Sequence, residues 1–355
     1  MKVLAVRLDS DGDVLLTGPA IRAVAGHADE VVAVVGPKGR QAAALLPGVT
    51  RTEVWHCGWV DGDAPPVDDA SVADAVARLA AHGADEAVVF TSFHQSPLPT
   101  ALVLRLAGVR RITGASVDFA GGLLDVRARP GHPDPAHPAH DPTADLDEDL
   151  PEPERALAIA ARGGFTLPPD DDGRLRVATG GASGEAAQLL ARHGVTGPYV
   201  VLHPGASVPA RAWPPQRCAE GVAALSAAGH RVLVTGSPGE TALTAAVAGT
   251  AGVDLGGASS FPVLAEVLRG ADAVVVGNTG PAHLAAAVGT PVVSLFAPVV
   301  PPERWAPYGV PRVLLGDQDA ACRGTRAREC PVPGHPCLAG VAPEDVVTAV
   351  TRLKR

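Results

Sequence analysis

The sequence predicts an α/β protein built from two doubly wound parallel sheets, and three observations carry this prediction. Short runs of valine, leucine and alanine alternate with longer segments of helical periodicity through most of the 355 residues. These runs are apolar throughout, which is typical of strands buried on both faces of a parallel sheet. The alternation stops in a polar stretch near the middle of the chain and then starts again. We therefore predict two halves, each with its own sheet and covering helices.

The composition is that of a globular protein with an aliphatic core. Hydrophobic residues make up 46% of the chain and aromatic residues only 3%, so alanine, valine and leucine must fill the interior. The net charge is −9 and no basic stripe occurs, which argues against a nucleic-acid partner.

No targeting or membrane-spanning segment is predicted. The first apolar run is soon interrupted by Arg7, Asp9 and Asp11, which does not fit a signal peptide. No stretch of about 18 uncharged apolar residues could form a transmembrane helix. We expect a cytoplasmic protein, which can still contact a membrane surface such as the inner face of the cell membrane.

The first half shows the alternation clearly and then loses it. Its predicted strands are 3–6, 30–35, 50–54, 86–91 and 111–114, and its predicted helices are 14–25, 39–46, 71–82 and 100–107. Residues 130–154 are mostly proline, histidine and acidic residues, so we predict an exposed, mobile loop. Three histidines in this loop, His132, His137 and His140, are irregularly spaced, and a solvated loop is preferred over a metal site.

The second half repeats the pattern after a short helix at 155–162 and a second polar break. Its predicted strands are 199–203, 231–235, 253–255, 273–276 and 291–296, and its predicted helices are 186–193, 215–228, 241–248, 261–269, 281–288 and 343–353. We divide the chain into a first domain at 1–165, a polar linker at 166–179, a second domain at 180–340 and a terminal helix at 341–355.

The turn at 277–280, Gly-Asn-Thr-Gly, joins a buried strand to a helix that opens with Pro281 and closes at Gly289. A strand that enters a helix through small polar residues leaves backbone N–H groups unpaired, and these groups suit an anion, most often phosphate. Two neighbouring loops, at 203–207 and 235–240, also follow strands and also contain glycine and hydroxyl side chains. Three such loops favour a nucleotide site over ordinary strand-to-helix turns.

Several side chains in and near these loops are candidate ligands of a nucleotide. Ser207 and Thr279 offer hydroxyls to phosphate, and Glu240 is the acid best placed for ribose hydroxyls. His283 lies in the first helical turn, where it can face the phosphate or simply pack. Arg211 can neutralise a diphosphate leaving group, or it can be an ordinary surface arginine.

The acidic loop after the first strand contains Asp9, Asp11 and Asp13, with Gly12 between the last two. Three acids in five residues can bind Mg²⁺ or supply one general base, and Asp13 can also cap the following helix. At the end of another strand of this half, His94 and Gln95 are candidates to line the same ligand site.

Other familiar site patterns are missing from the sequence. It contains no GxGxxG after a strand, no GxxxxGK[ST] and no HExxH, which disfavours dinucleotide hydride transfer, P-loop hydrolysis and zincin chemistry. Cys322, Cys330 and Cys337 lie close together with His335, but without a CxxC pair. A structural or inert role is preferred for them over a zinc site.

The segments LDSDGDVLLTGPAIRAV, HPGASVPARAWPPQRCAE, GSPGE and GNTGPAHLAAAVGTPVVSLFAPVVPPERWAPYG together resemble glycosyltransferase family 9, the heptosyltransferase family. The resemblance covers most of the chain in the right order and is strongest after residue 199. It implies a GT-B fold, with two Rossmann-like domains and the active site between them. The first domain would bind the acceptor and the second a nucleotide-diphospho-sugar, with inverting transfer that needs no metal and no cofactor.

The resemblance also implies roles for individual residues. Asp13 matches the general base that deprotonates the acceptor hydroxyl. Thr279, Gly280 and His283 match the donor-binding segment, while Ser207 falls in the phosphate loop and Glu240 matches the acid at the ribose.

Two positions depart from the family pattern. Arg211 stands where the family usually has lysine, which keeps the charge but replaces a point charge by a planar fork. Asn278 stands where the family usually has an aspartate that holds sugar hydroxyls, so the identity of the donor sugar is open.

We therefore predict a glycosyltransferase that moves heptose or a related sugar from a nucleotide-diphospho-sugar, ADP-linked, to a glycan or glycolipid. The alternatives are a non-catalytic nucleotide-sugar-binding protein and a GT-B-like sugar epimerase.

Overall fold

The computed structural model describes residues 1–92 and 94–354, which form two compact units, Met1–Arg176 and Val177–Arg355. Residues 166–176 belong to the first unit, where Asp171 accepts two hydrogen bonds from the Arg22 guanidinium at 2.6 and 2.8 Å. That pairing lowers the pKa of Asp171 to about 2. Within the described ranges, no helix combines the length and the apolar character needed to cross a membrane.

The first unit contains a six-stranded parallel sheet with the strand order β3-β2-β1-β4-β5-β6. Its strands are β1 (Lys2–Arg7), β2 (Glu30–Val35), β3 (Arg51–Val54), β4 (Glu86–Val89), β5 (Arg111–Ala115) and β6 (Val126–Ala128). Its helices are α1 (Asp11–Ala25), α2 (Arg40–Ala43), α3 (Asp69–Ala80), α4 (Leu98–Leu106) and α5 (Glu152–Arg162). Two further short strands, β7 (Pro130–Gly131) and β8 (Leu146–Asp147), pair with each other in parallel.

The second unit repeats this topology with the strand order β11-β10-β9-β12-β13-β14. Its strands are β9 (Val200–His203), β10 (Val232–Gly236), β11 (Val253–Gly256), β12 (Ala273–Gly277), β13 (Val292–Leu295) and β14 (Arg312–Leu315). Its helices are α6 (Ser183–Arg192), α7 (Pro215–Ala227), α8 (Thr241–Ala248), α9 (Phe261–Arg269), α10 (Gly280–Ala287), α11 (Pro302–Trp305), α12 (Pro336–Ala339) and α13 (Pro343–Leu353).

The predicted fold class is confirmed by these two sheets, and the reason lies in the central strands. Residues 3–6 of β1 and 273–276 of β12 are buried along their whole length, on both faces of their sheets. A continuous run of aliphatic side chains places apolar groups on both faces of the sheet. A parallel strand that is covered by helices on both faces requires this pattern. Gly289 follows α10 with φ +82°, as expected of a residue that ends a helix in the left-handed region.

Some boundaries differ from the sequence prediction. Helix α1 begins at Asp11 rather than at residue 14, so the whole Asp-Gly-Asp turn is helical. The predicted helix at 39–46 is only α2, preceded by a single 3₁₀ turn over Pro37–Gly39. The edge strands β6 and β14 were not predicted, because each is short and carries arginine.

The prediction of an exposed loop over residues 130–154 is wrong for part of this segment. The short β7–β8 ladder closes it, Leu146 is buried, and residues 152–154 already form the first turn of α5. Pro130, Leu146 and Pro153 are buried and hold the ends of this segment in place, although its centre is polar.

Candidate functional site

In the first unit, the candidate residues lie where the order of the parallel strands reverses. Strands β1 and β4 are neighbours, and the chain leaves them toward opposite sides of the sheet. Ligands of doubly wound sheets bind at this position, beyond the carboxyl ends of the strands. The acidic loop follows β1, and residues 92 and 95 follow β4, so the topology brings two predicted groups together.

Arg7, the last residue of β1, organises the acidic loop. Its side chain is 3% exposed and makes ion pairs with Asp9 at 2.8 Å, Asp13 at 3.1 Å and Glu152 at 3.6 Å. Burial opposes the charge, but Asp9, Asp13 and Glu152 outweigh it and hold the pKa of Arg7 above its ordinary value. The guanidinium also donates to Ser92 Oγ at 3.0 Å, which ties β1 to the loop after β4.

Asp13 is held on both sides of its carboxylate. Its Oδ1 accepts a hydrogen bond from Arg7 at 3.1 Å, and its Oδ2 accepts one from Ser10 Oγ at 2.9 Å. It lies in the first turn of α1, where the helix dipole also favours a negative charge. Ser10, not Asp13, occupies the capping position, so the capping role considered from the sequence does not apply. Gly12 is buried beside Asp13 in the same turn.

The other two acids of the loop point to different partners. Asp9 accepts a hydrogen bond from Gln95 Nε2 at 2.6 Å, and burial raises the pKa of Asp9 even though Arg7 opposes this. Asp11 accepts from the Ala42 N–H at 2.8 Å, and burial raises its pKa to about 6. Because Asp11 faces away and Arg7 occupies the space between Asp9 and Asp13, the three acids do not form a cation site. Among the described residues, the group of side chains with metal-ligand spacing is His132, His137 and Asp149, outside the acidic loop.

His94 and Gln95 lie at a cavity of about 130 Å³ beside this network. Ser116 and Arg155 are among its other lining residues. Arg155 is 2% exposed and donates to the Thr91 carbonyl at 2.7 Å, so its guanidinium is fixed at the cavity wall. Gln95 connects the cavity to the acidic loop, because the same amide donates to Asp9.

The second unit has an equivalent reversal of strand order between β9 and β12. Three loops meet at this edge, and glycine permits their close approach. A Cβ on residue 205 would lie 1.9 Å from Glu240 Oε1, and a Cβ on residue 277 would lie 2.6 Å from the Arg211 carbonyl oxygen. The loops after β9, β10 and β12 are therefore in direct contact, as predicted from their positions at strand ends.

The turn after β12 offers fewer free backbone groups than the sequence suggested. The Thr279 N–H donates to the Gly277 carbonyl at 2.9 Å, and the Ala282 N–H donates to the Thr279 carbonyl at 3.0 Å. Pro281 has no N–H, and neither the Asn278 nor the Gly280 N–H donates to a backbone carbonyl in the described part of the chain. Beside them, the buried hydroxyl of Thr279 has no hydrogen-bond partner among the described residues.

Asn278 is 4% exposed and uses both ends of its amide within the protein. Its Oδ1 accepts from the Ala297 N–H at 3.3 Å, and its Nδ2 donates to the Ala297 carbonyl at 3.4 Å. This pair of bonds ties the turn after β12 to the segment after β13. An aspartate could accept the first bond but could not donate the second, so asparagine suits these surroundings.

Glu240, in the loop after β10, acts electrostatically on His203 at the end of β9. The Glu240 carboxylate accepts from the Ser237 N–H and hydroxyl, both at 2.7 Å, and so closes the first turn before α8. His203 Nδ1 lies 3.0 Å from Thr235 Oγ1. Burial lowers the pKa of His203 to about 4, although the Glu240 charge opposes this, so the imidazole is neutral at pH 7.

The remaining predicted residues surround the same edge. Ser207 is exposed in the loop after β9, and Arg211 is half-buried at the end of a 3₁₀ turn over Pro209–Arg211. His283 is 5% exposed in the first turn of α10. The structure thus brings all the predicted residues of the second unit to one end of its sheet.

Three residues near these strand ends were not predicted from the sequence, namely Arg7, Glu152 and Arg155, and His203 was predicted only as part of the loop at 203–207. Arg7 could have been predicted, because it ends a buried strand two residues before Asp9 and its charge is opposite to that of the acidic loop. Glu152 and Arg155 show no such local pattern, because they contact the strand ends only through the return of α5 to the sheet.

The three clustered cysteines belong to the core of the second unit. Cys322 and Cys337 are buried, and burial, with smaller contributions from Cys322 and Cys330, raises the pKa of Cys337 to about 12. In the described ranges these thiols and His335 do not come together as a ligand set. His335 Nε2 instead lies 3.2 Å from the Ala210 carbonyl oxygen, which supports the loop that carries Arg211.

The model of Glycosyltransferase family 9 (heptosyltransferase) matches residues 154–335 of the chain. By sequence, no curated protein matches it. Among solved structures, ADP-heptose lps heptosyltransferase II of E. coli is similar over 100% of this chain and 98% of its own, with 19% identity and a TM-score of 0.72. A family 9 glycosyl transferase of Veillonella parvula is similar over 99% and 97%, with 16% identity and a TM-score of 0.74. E. coli heptosyltransferase WaaC with ADP is similar over 99% and 100%, with 20% identity and a TM-score of 0.69. At these identities the likenesses show a shared fold, the GT-B fold expected from the sequence.

Proposed function

Because the chain belongs to glycosyltransferase family 9, we propose that it transfers heptose or a related sugar from an ADP-linked nucleotide-diphospho-sugar to a hydroxyl of a glycan or glycolipid. The first unit binds the acceptor, and the second unit binds the donor. The reaction is an inverting single displacement that uses no metal ion, and it takes place at the cytoplasmic face of the membrane when the acceptor is a glycolipid.

The observation that carries this proposal is the carboxylate of Asp13, oriented by Arg7 and Ser10 at the end of β1. A partly exposed carboxylate in a fixed position is what a general base requires. Asp13 takes the proton of the acceptor hydroxyl while that oxygen attacks the anomeric carbon. The bond between this carbon and the diphosphate breaks, the nucleoside diphosphate leaves with the electron pair, and the configuration at the carbon inverts.

On the donor side, the unpartnered Thr279 hydroxyl and Gly280 N–H support binding of the diphosphate. They lie at the N-terminus of α10, where a negative charge is stabilised. Arg211 and His283 stabilise the negative charge that develops on the leaving diphosphate. Ser207 donates a hydrogen bond to a phosphate oxygen. Glu240 is assigned to the ribose, because Ser237 occupies only its Oε2, while its Oε1 lies beside the glycine of the loop after β9.

On the acceptor side, the cavity next to His94 and Gln95 supports binding of a sugar ring. Its wall carries Ser116 and the fixed guanidinium of Arg155, which together can bind several hydroxyl or acidic groups. Gln95 links this cavity to Asp9 and thereby to the group around Asp13.

The experiment is a transfer assay with a panel of nucleotide sugars and of glycan and glycolipid acceptors. We expect release of ADP only when donor and acceptor are both present, and loss of about 10²–10⁴-fold in kcat for Asp13→Ala with donor affinity retained. Asp11→Asn is the matched control, because the Asp11 carboxylate faces Ala42 and an amide oxygen can still accept that bond.

The alternatives give different results in the same assay. A binding protein would bind an ADP-sugar and release no ADP with any acceptor. An epimerase would convert the nucleotide sugar without an acceptor. Unchanged turnover of Asp13→Ala would remove Asp13 from the mechanism.

A further inference from the structure

The segment from β7 to β8, residues 130–147, closes on itself without a hydrophobic centre. Its order comes from the two-residue ladder, an isolated bridge between His132 and His140, and short turns in which Asp134 and Asp141 accept from backbone N–H groups. Pro130 and Leu146 are buried at its ends, while most residues between them are exposed. A closed polar segment of this length needs some further tie to hold one conformation.

Two imidazoles and a carboxylate converge on one point of this segment. His132 Nδ1 lies 3.7 Å from Asp149 Oδ2, and His137 Nε2 lies 3.6 Å from the same oxygen. A second carboxylate, that of Asp147, lies 4.0 Å from His132 Nδ1. Over residues 1–92 and 94–354, His132, His137 and Asp149 are the group of possible metal ligands whose atoms all lie within 4.8 Å of one another.

The separations of the two imidazole nitrogens from Asp149 approach those found in a tetrahedral metal site. Zinc binds imidazole nitrogen and carboxylate oxygen at about 2.0–2.2 Å, which places two ligands of a tetrahedron about 3.3–3.5 Å apart. The observed separations from Asp149 are only slightly longer, so small side-chain movements would complete the site. His132 Nδ1 is buried and has no hydrogen-bond partner among the described residues, which is costly for a nitrogen without a ligand.

We propose that His132, His137 and Asp149 bind a structural zinc ion, with Asp147 as the fourth ligand. Two neutral imidazoles and carboxylates are a donor set that favours zinc over magnesium or calcium, which prefer oxygen alone. This site is distinct from the acidic loop and supplies no group to the transfer reaction. Its ligands come from one stretch of 18 residues, so the ion would tie β7, the polar segment and β8 together.

Zinc binding requires one local change. The Ala139 N–H donates to His137 Nδ1 at 3.1 Å, so in the structure the proton of this ring belongs on Nε2, the nitrogen that faces Asp149. When Nε2 binds zinc, the proton moves to Nδ1 and the Ala139 N–H turns to solvent. The bond is exposed, so its loss is small beside the coordination bonds that are gained.

The position of the site suggests what it stabilises. Asp149 is three residues before α5, whose first turn carries Glu152 and Arg155. Glu152 pairs with Arg7, and Arg155 lines the cavity beside Gln95. An ion that fixes residues 132–149 therefore also fixes the approach to the helix that supplies both side chains.

The test uses the full chain without a histidine tag, stripped with a chelator and titrated with Zn²⁺ alone. We expect one equivalent of zinc to bind, and binding to weaken by at least about tenfold in His132→Ala, His137→Ala and Asp149→Asn. His140→Ala is the matched control in the same segment, because its imidazole contacts the His132 carbonyl and not the cluster. Zinc should also slow amide hydrogen exchange over residues 132–149.

Cobalt substitution distinguishes this site from the cysteines. Co²⁺ bound by His132, His137 and Asp149 gives a visible spectrum without a thiolate charge-transfer band, and Cys330→Ser leaves that spectrum unchanged. The proposal is overturned if no stoichiometric zinc binds the wild-type chain, if the three variants bind it as tightly as the wild type, or if the cobalt spectrum shows thiolate ligation. These outcomes do not depend on whether the transfer activity is found.

Discussion

The Glu240 carboxylate lies directly against the backbone of Gly205, so closely that a Cβ on residue 205 would stand 1.9 Å from Glu240 Oε1. Two loops that follow neighbouring strands meet through this contact. The same carboxylate closes the turn over Pro238–Glu240 by accepting from Ser237. Glycine at position 205 is therefore required by the neighbour and not by its own backbone, which does not lie in the left-handed region.

Gly205→Ala should displace Glu240 and disorder both loops. We expect unfolding free energy to fall by about 1–3 kcal/mol, as in other overpacked sites, and ADP affinity to fall with it. Chemical denaturation and calorimetric titration with ADP measure the two effects. Gly184→Ala is the control, since a Cβ there meets no atom within 4 Å and the residue lies in α6. Equal ADP affinity in Gly205→Ala and wild type would contradict the assignment of Glu240 to the nucleotide.

Arg7→Ala should destabilise the first unit strongly. The change leaves Asp9, Asp13 and Glu152 close together without their shared cation, and loss of one partner from a buried ion pair costs about 3–5 kcal/mol. Arg7→Lys should recover only part of this free energy, because an ammonium cannot bridge three carboxylates as the planar guanidinium does. The measurement is the free energy of unfolding in urea.

Lys38→Ala is the control for that experiment. Lys38 also pairs with two carboxylates, those of Asp61 and Asp63, but its side chain is 55% exposed. Its removal should cost no more than about 1 kcal/mol. If Arg7→Ala were no more destabilising than Lys38→Ala, the Arg7 cluster would not hold the acidic loop.

The neutral imidazole of His203 predicts a pH dependence of stability. Its pKa is about 4 in the folded protein and near the ordinary value of 6.5 when the chain is unfolded, so between these values the unfolded chain binds the additional proton. Wild type should therefore lose stability relative to His203→Gln as the pH falls from about 6.5 to about 4, by up to about 1.4 kcal/mol per pH unit. Urea unfolding of both proteins at several pH values gives the difference. A difference that stays constant across this window would show that His203 titrates normally in the folded state.

Asn278→Asp should weaken the link between the turn after β12 and Ala297. The carboxylate would face the Ala297 carbonyl oxygen, which lies 3.4 Å from Nδ2 in the native protein, and would leave it without a donor. We expect a loss of about 1–3 kcal/mol in the free energy of unfolding, measured in urea. The transfer assay with several ADP-sugars then tests whether the variant also changes donor choice, as its place beside Thr279 predicts. A variant as stable as wild type would show that the bond from Asn278 Nδ2 to the Ala297 carbonyl is dispensable.

Much of the fold could be predicted because the pattern of the central strands is local. The valine runs at 3–6 and 273–276, and Gly289 after α10, each follow from a rule that involves a few neighbouring residues. The positions of the candidate residues could be predicted in the same way where they depend on strand ends. Asp13 comes soon after a predicted strand of the first unit, and Thr279 and Glu240 come soon after predicted strands of the second. Within each sheet, parallel strands bring their carboxyl ends to one edge.

Other features depend on residues that are distant in the sequence. Arg7 contacts Glu152 only because α5 returns to the sheet, and the amide of Asn278 is matched by the backbone at Ala297. His132 and Asp149 approach each other only when β7 and β8 pair. The sequence alone determined the fold class, the family resemblance and the strand ends where candidates lie, because these follow from local patterning. The tertiary structure decided which charges pair, which polar groups remain without a partner and which histidines converge, because those contacts form only after the chain has packed.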